Sequence, residues 1–319
     1  MNLARDIIIG VAVADAVGVP VEFQTRMQLD LMPVKMMRSY GTYNQPKGTW
    51  SDDSSLTFCL ADSLAKNFDL ADIAKQFIRW KNFSKWTPHG EVFDIGITTS
   101  NAINVLDMLM KQEKLDELLY LKSDDEYSNG NGSLMRIAPL YFYLKSSNES
   151  IESQFETIWQ VSALTHGHIR SAIACTIYLM MMEELIDGNE IEIAYGNTQN
   201  RTKVFFQNKD ISKKEIQHFD RLIENDISKL SRKSIKSDGY VMSSLEATFW
   251  CLLNSESYEE TILKAVNLGH DTDTTAAIVG GLAGVVYGIE GIPDDWYNSL
   301  VKIEKIENLC DRLWGKYKN

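Results

Sequence analysis

Gly269-His270-Asp271-Thr272-Asp273-Thr274-Thr275 runs straight into an apolar stretch. There, small residues return at every fourth position: Ala276, Gly280, Gly284 and Gly288. That spacing reads as one face of an α-helix. The two aspartates cannot share a helical face, because two residues turn a helix by roughly 200°. In an extended or turn segment, residues i and i+2 point the same way. Asp271 and Asp273 are therefore expected in the turn that opens the helix, as half of an oxygen-only cation site. A glycine inside a helix costs roughly 1 kcal/mol relative to alanine. Three of them imply a compensating gain, and close backbone packing supplies one. A first helix, expected from an Asn2 cap to about Val17, repeats the spacing with Gly10, Ala14 and Gly18. Both stripes are expected in crowded helix–helix contacts, in the simplest arrangement with each other.

The other half of the cation site is sought among the remaining acidic motifs. Gly48-Thr49-Trp50-Ser51-Asp52-Asp53-Ser54-Ser55 precedes a helical stretch from Leu56 to Leu64. Ser51 or Asp52 can cap that helix, and adjacent aspartates at a helix start also complement its dipole. Taken with Asp271 and Asp273, a second explanation arises. Four carboxylates drawn together repel by roughly 4 kcal/mol per pair at about 4 Å in an effective dielectric near 20. A divalent cation removes that penalty, and all-oxygen ligands select a hard ion, Mg²⁺, Mn²⁺ or Ca²⁺.

Bulk properties narrow the function classes. The chain has 319 residues, 44% of them hydrophobic, which is ample for a folded core. Its formal charge of −12 argues against general nucleic-acid binding, which needs Lys and Arg to neutralise phosphates. The four cysteines, Cys59, Cys175, Cys251 and Cys310, form no C-x-x-C pair, so reduced thiols and a cytoplasmic location are expected. Asp6 and Asp15 interrupt the apolar run from Ile7 to Val21, which reads as a buried helix and not a targeting segment. No run reaches the ~20 apolar residues that span a membrane.

Along the chain, amphipathic helices are expected at residues 68–83 and 213–223, and further helices from about Thr99 to Gln112, from about Ser243 to Leu253, near Glu259 to Leu268 and last through Leu309 and Trp314, while Ile158 to Met182 is largely apolar. A short strand is admitted only near Glu190–Ala194. Ser128-Asn129-Gly130-Asn131-Gly132-Ser133-Leu134-Met135-Arg136 is a glycine-rich loop expected to open a helix toward Tyr143. Its N–H groups suit an anion or phosphate, although it is neither a Walker loop nor a dinucleotide fingerprint. His166-Gly167-His168 lacks the third histidine or cysteine of a zinc site, so substrate contact or a core hydrogen bond fits it better. Residues 187–238 read as a polar surface excursion. Ten Lys/Arg face five Asp/Glu between Arg201 and Lys236. This is a solvated basic face or, in a second reading, a contact for an acidic partner. No Pro/Ser/Gly linker divides the chain, so residues 1–319 read as one all-α domain with more than ten helices.

These motifs together give the chain a resemblance to the ADP-ribosylglycohydrolase family, which includes the glycohydrolase that reactivates dinitrogenase reductase. The resemblance rests on Gly18-Val19-Pro20-Val21-Glu22-Phe23, Trp50-Ser51-Asp52-Asp53-Ser54, Phe93-Asp94-Ile95-Gly96-Ile97-Thr98, Gly130-Asn131-Gly132-Ser133-Leu134-Met135-Arg136, Leu164-Thr165-His166, Ser237-Asp238-Gly239-Tyr240-Val241 and Gly269 to Thr274, all in family order. It implies a compact, orthogonal multi-helix fold and a binuclear Mg²⁺ or Mn²⁺ centre. The implied ligands are Ser51, Asp52, Asp53, Asp271, Asp273 and Thr274, with Ser51 where family members more often have threonine. It implies Asp94 and Glu22 as the catalytic carboxylates. Gly96, Asn131, Gly132, Ser133, Met135 and His166 would line an ADP-ribose groove, and Tyr240 would stack on adenine. The implied activity is hydrolysis of the bond between ADP-ribose and an acceptor such as arginine or serine. The expected partner is an ADP-ribosylated protein, met by a monomer. A different class, a non-catalytic ADP-ribose-binding or immunity protein on the same fold, would be signalled by a lost aspartate, and all four are present. His270 has no role at this stage.

Overall fold

The computed structural model describes residues 2–207, 209 and 211–318. Among them, sixteen α-helices run in chain order: α1 (Leu3–Gly18), α2 (Arg26–Leu31), α3 (Asp52–Leu64), α4 (Leu70–Phe83), α5 (Ile97–Lys111), α6 (Leu140–Ser147), α7 (Ile151–Ala163), α8 (Ile169–Ile186), α9 (Ile191–Gln207), α10 (Lys213–Gln217), α11 (Asp220–Ile223), α12 (Val241–Leu253), α13 (Tyr258–Val266), α14 (Thr272–Tyr287), α15 (Asp294–Ser299) and α16 (Ile303–Tyr317). Two isolated bridges, Tyr40 with Gln45 and Gly130 with Tyr240, are the β-pairings among the described residues. No helix among the described residues is long and apolar enough to cross a membrane. All four cysteines are buried and unpaired.

The two small-residue stripes do meet. Asn2 caps α1 by accepting the Arg5 N–H at 3.3 Å, and residues 6–18 are all buried. A Cβ placed on Gly10 would stand 2.5 Å from the Gly280 carbonyl oxygen, and one on Gly284 would stand 2.0 Å from that of Asp6. At the other end, a Cβ on Gly18 would lie 2.3 Å from Asp273 Cα. α1 and α14 therefore pack backbone to backbone at the centre of the molecule. The Gly10 carbonyl accepts the Tyr258 hydroxyl at 2.6 Å, and the Gly18 carbonyl accepts Thr272 Oγ1 at 2.9 Å. The helix-interior glycines thus fix how closely the two N-terminal motifs approach. Gly288 does not belong to this seam. It ends α14 with a φ of 66°, a left-handed value suited to glycine.

Several expectations need correction. Residues 191–194 lie in α9, not in a strand: the periodicity there is too short to distinguish the two, and Glu190 O accepts the Ala194 N–H at 2.8 Å. The apolar stretch 158–182 is broken between α7 and α8, where His168 caps α8 by accepting the Arg170 N–H at 3.2 Å. Residues 213–223, whose pattern suits one amphipathic helix, form two short ones, α10 and α11. The glycine-rich loop does not lead directly into a helix. Residues 132–136 form consecutive turns, and α6 starts only at Leu140 behind Pro139.

Candidate active site

Two helix N-termini converge on one place. Ser51 caps α3, so Asp52 and Asp53 occupy its first turn. Asp271 caps α14, so Asp273 occupies its first turn. The dipoles of both helices favour negative charge there. Asp53 joins the halves, because its Oδ2 accepts Ser51 Oγ at 3.0 Å and Thr274 Oγ1 at 3.2 Å. Asp273 Oδ1 accepts the Thr274 N–H at 2.9 Å. Glu22 reaches the same spot from the end of α1, and the crowded α1–α14 seam sets its position. Asp94 arrives from the strand-like lead into α5. Gly96 caps that helix, which frees the Asp94 carboxyl from a capping role.

The carboxylates form two clusters, each with oxygens within 4.8 Å of one another: Asp15, Asp53 and Asp273, and Glu22, Asp94 and Asp273. Asp273 belongs to both. Asp53 Oδ1, Asp273 Oδ2 and Glu22 Oε2 are buried with no hydrogen-bond partner. What sets these three apart is that they converge, and orphaned acceptors on three converging acids fit the ligand set of a divalent cation. Burial raises the pKa of Asp52, Asp53 and Asp273 well above the carboxylate range, and neighbouring carboxylates add to it. Burial, then the Asp94 charge, raises Glu22 to about 8, and burial raises Asp94 to about 6.

A cleft of about 600 Å³ opens over this acidic floor. Glu22, Asp52, Asp94, Gly96, Asn131, Gly132, Met135, His166, Asp271 and Thr274 line it, all residues singled out from sequence. Ser51, Asp53 and Asp273 lie buried beneath. Asn131 ties the glycine-rich loop to the acidic end by donating to Asp271 Oδ2 at 2.6 Å and to Ser244 Oγ at 2.9 Å. The loop is pinned from the other side by Asn131 N–H to Gly239 O and Val241 N–H to Asn129 O, both at 3.0 Å.

Two expected contacts stand elsewhere. Ser133 is fully buried, and its hydroxyl accepts Ser162 Oγ at 2.9 Å, away from the cleft. Tyr240 is not among the lining residues, and its hydroxyl faces Met242 Sδ at 3.4 Å. Its backbone, bridged to Gly130, holds the loop. His270 gains a backbone role. With a φ of 62°, it donates its N–H to Gln24 O and accepts the Phe23 N–H, each at 2.7 Å, which fastens the Asp271 turn to the segment after Glu22.

Sequence reasoning missed two residues. Asp15 accepts the Ser51 N–H at 3.0 Å on each oxygen and the Ser54 N–H at 3.0 Å, besides the Ser54 hydroxyl. With its oxygens so occupied, it fits as the anchor of the α3 turn better than as a cation ligand. The available signal was one charge in the middle of an apolar helix. Tyr43, half-buried, lies within hydrogen-bonding reach of both Glu22 and Asp94. It ends a single 3-10 turn, Gly41–Tyr43, with no motif around it.

The class defined so far is an all-helical domain with a cleft over a floor of buried carboxylates. The family model for ADP-ribosylglycohydrolase matches residues 1–319, and the chain belongs to that family. It is 30% identical over 321 residues to the ADP-ribosylarginine hydrolase Tri1 of Pseudomonas putida, covering 99% of this chain and 79% of that protein. It is 24% identical over 302 residues to the ADP-ribosyl-[dinitrogen reductase] glycohydrolase of Rhodospirillum rubrum, covering 93% and 90%. A solved structure described as an ADP-ribosylglycohydrolase-related protein complex superimposes with a TM-score of 0.78 at 26% identity, over 99% of this chain and 98% of that one.

Proposed function

We propose that the chain is a divalent-cation-dependent hydrolase that removes ADP-ribose from a modified protein side chain, with arginine as the acceptor. The carrying observation is the trio of buried, unpartnered oxygens, Glu22 Oε2, Asp53 Oδ1 and Asp273 Oδ2, at one end of the cleft. Ser51, Asp52, Asp53, Asp271, Asp273 and Thr274 would hold two Mg²⁺ or Mn²⁺ ions, hard cations suited to oxygen donors. Bound there, such ions supply Lewis acidity and a fixed template for ribose hydroxyls.

The chain's own residues divide the remaining work. Burial, with the Asp94 charge added, raises the Glu22 carboxyl further than burial raises that of Asp94, so Glu22 is the better proton holder of the two. Glu22 would therefore donate a proton to the leaving atom at C1″ of the distal ribose. Asp94 would take one from the attacking water. Asn131 orients Asp271. The N–H group of Gly132, on the cleft wall, has no hydrogen-bond acceptor among the described residues and would receive the diphosphate. Remote binding there fixes the sugar over the acids.

Arginine is favoured over serine on two grounds. The acidic end suits a guanidinium. The Pseudomonas putida relative, at 30% identity, carries the arginine name, against 24% for the dinitrogen-reductase-directed relative.

The test is release of free ADP-ribose from ADP-ribosyl-arginine and ADP-ribosyl-serine proteins with Mg²⁺ or Mn²⁺. Release from the arginine substrate is expected, rising and then falling with pH across about 6 to 8, and excess EDTA or Asp271→Asn should abolish it. Full turnover in EDTA refutes the cation requirement. Release from serine alone refutes the acceptor. Tight ADP-ribose binding without release from either favours a binding protein.

A further inference from the structure

Arg136 is fully buried, and no carboxylate pairs with it among the described residues. Its guanidinium lies 4.6 Å over the Phe77 ring, and Nε and Nη1 have no hydrogen-bond partner. Nη2 is the committed donor. It reaches Thr165 Oγ1 at 2.8 Å and Val161 O at 3.1 Å, with Ser162 O at 3.5 Å. Thr165 Oγ1 in turn stands 3.0 Å from His166 Nδ1. His166 lines the cleft, clamped by the glycine-rich loop. A Cβ on Gly132 would meet its Cε1 at 2.6 Å, and one on Gly130 would meet its Nε2 at 3.3 Å.

The direction of this chain of hydrogen bonds follows from donor inventory. A guanidinium can only donate, so Thr165 Oγ1 accepts from Arg136. The threonine O–H then needs an acceptor of its own. Thr165 is buried, and among the described residues His166 Nδ1 is its one remaining partner. Were Nδ1 protonated, both partners of Thr165 would be donors and its O–H would be stranded, an arrangement native interiors avoid. We infer that Arg136 and Thr165 are a positioning pair that holds His166 in one neutral tautomer, with Nδ1 bare and the proton on Nε2. The cleft is thereby given a fixed N–H donor for an oxygen acceptor of the ligand, a phosphate or a sugar hydroxyl. Burial, followed by the Arg136 charge, lowers the His166 pKa to about 3, so the imidazole stays neutral in the physiological range. An Nε2–H that cannot become an imidazolium is a directional contact with no net charge. The tautomer stands on the geometry alone. Only its use in ligand binding rests on the reading of the cleft given above.

The experiment is long-range ¹H–¹⁵N NMR of the histidine rings in the full-length protein. The chain has five histidines, and His166→Asn assigns the resonance. At neutral pH, His166 is expected with an unprotonated Nδ1 and a protonated Nε2. The opposite tautomer, or an imidazolium, overturns the inference. Thr165→Val should give a mixture of tautomers and weaken ADP-ribose binding roughly tenfold, and Thr165→Ser should restore both. A Thr165→Val protein with an unchanged tautomer removes Thr165 from the role. If that variant does not fold, the wild-type spectrum still decides. If ADP-ribose does not bind the wild type, the proposed function fails while the tautomer remains readable.

Discussion

The two ends of the cleft are built on opposite terms. At the glycine-rich end, neutral hydrogen bonds span the loop: Asn131 and Val241 donate to Gly239 and Asn129 across its base, and Ser133 is paired with Ser162, while the partnerless buried atoms there, Asn129 Oδ1 and Arg136 Nε and Nη1, include no carboxylate oxygen. At the acidic end, three carboxylate oxygens are buried without partners, and several carboxyls are pushed upward in pKa by their own burial. One end is held in shape by neutral hydrogen bonds. The other concentrates buried carboxyls whose mutual repulsion protons or cations relieve. Pre-organised binding and poised chemistry thus sit in one cleft at different cost to the fold.

Substitutions should separate the two ends. The largest expected effect is at the acidic end: Asp53→Asn should lower kcat by about 10²–10³, the scale of losing one electrostatic contact to a transition state. Steady-state kinetics on the ADP-ribosyl-arginine protein reads it, and a variant with wild-type kcat would remove Asp53 from the chemistry. Next, Gly132→Ala should push its new methyl against His166 Cε1 and Thr99 Oγ1, which lie 2.6 and 3.0 Å from the Cβ position. Overpacking of this kind costs about 1–3 kcal/mol, so KM should rise roughly tenfold or more with kcat nearly unchanged. An equal fall in kcat would mean that the loop serves the chemical step.

The smallest effect is on stability, and its sign distinguishes the two ends. Asp52, Asp53 and Asp273 have folded pKa values above those of the unfolded chain. Without cations, the native state binds the extra protons. The stability they lend is present below about pH 4 and is lost as the pH rises through the folded values. In EDTA, the Tm should therefore fall between pH 5 and 8. Asp53→Asn should raise the Tm at pH 8 by roughly 2–4 °C, a change of about 1 kcal/mol in a domain of this size. A Tm in EDTA that climbs over that range would contradict the account of the acidic floor.

Much of this contrast was legible in the residues themselves. Ser51-Asp52-Asp53 and Asp271-Thr272-Asp273-Thr274 stand at helix starts, where spacing fixes which way side chains point. The glycines at 10, 18, 280 and 284 foretold the seam that brings Glu22 and Asp273 together, because their helical cost demanded close packing. Asp15 was not legible, since its task is to accept two backbone N–H groups from a turn thirty-six or more positions away. Tyr43 was hidden for the same reason, being placed by tertiary contacts alone. The side-chain direction of Ser133 depends on turns that follow no helical period. His270 acts through its backbone, which no residue type announces.

Equilibrium Mn²⁺ binding, followed by the electron paramagnetic resonance signal of the free ion, tests the central claim most directly. Two ions per chain are expected near pH 8, with binding weakened as the pH falls and protons compete for the carboxylates, and with occupancy reduced in Asp53→Asn. Absence of stoichiometric Mn²⁺ or competing Mg²⁺ at any pH would contradict the reading of those unpartnered oxygens as a cation site.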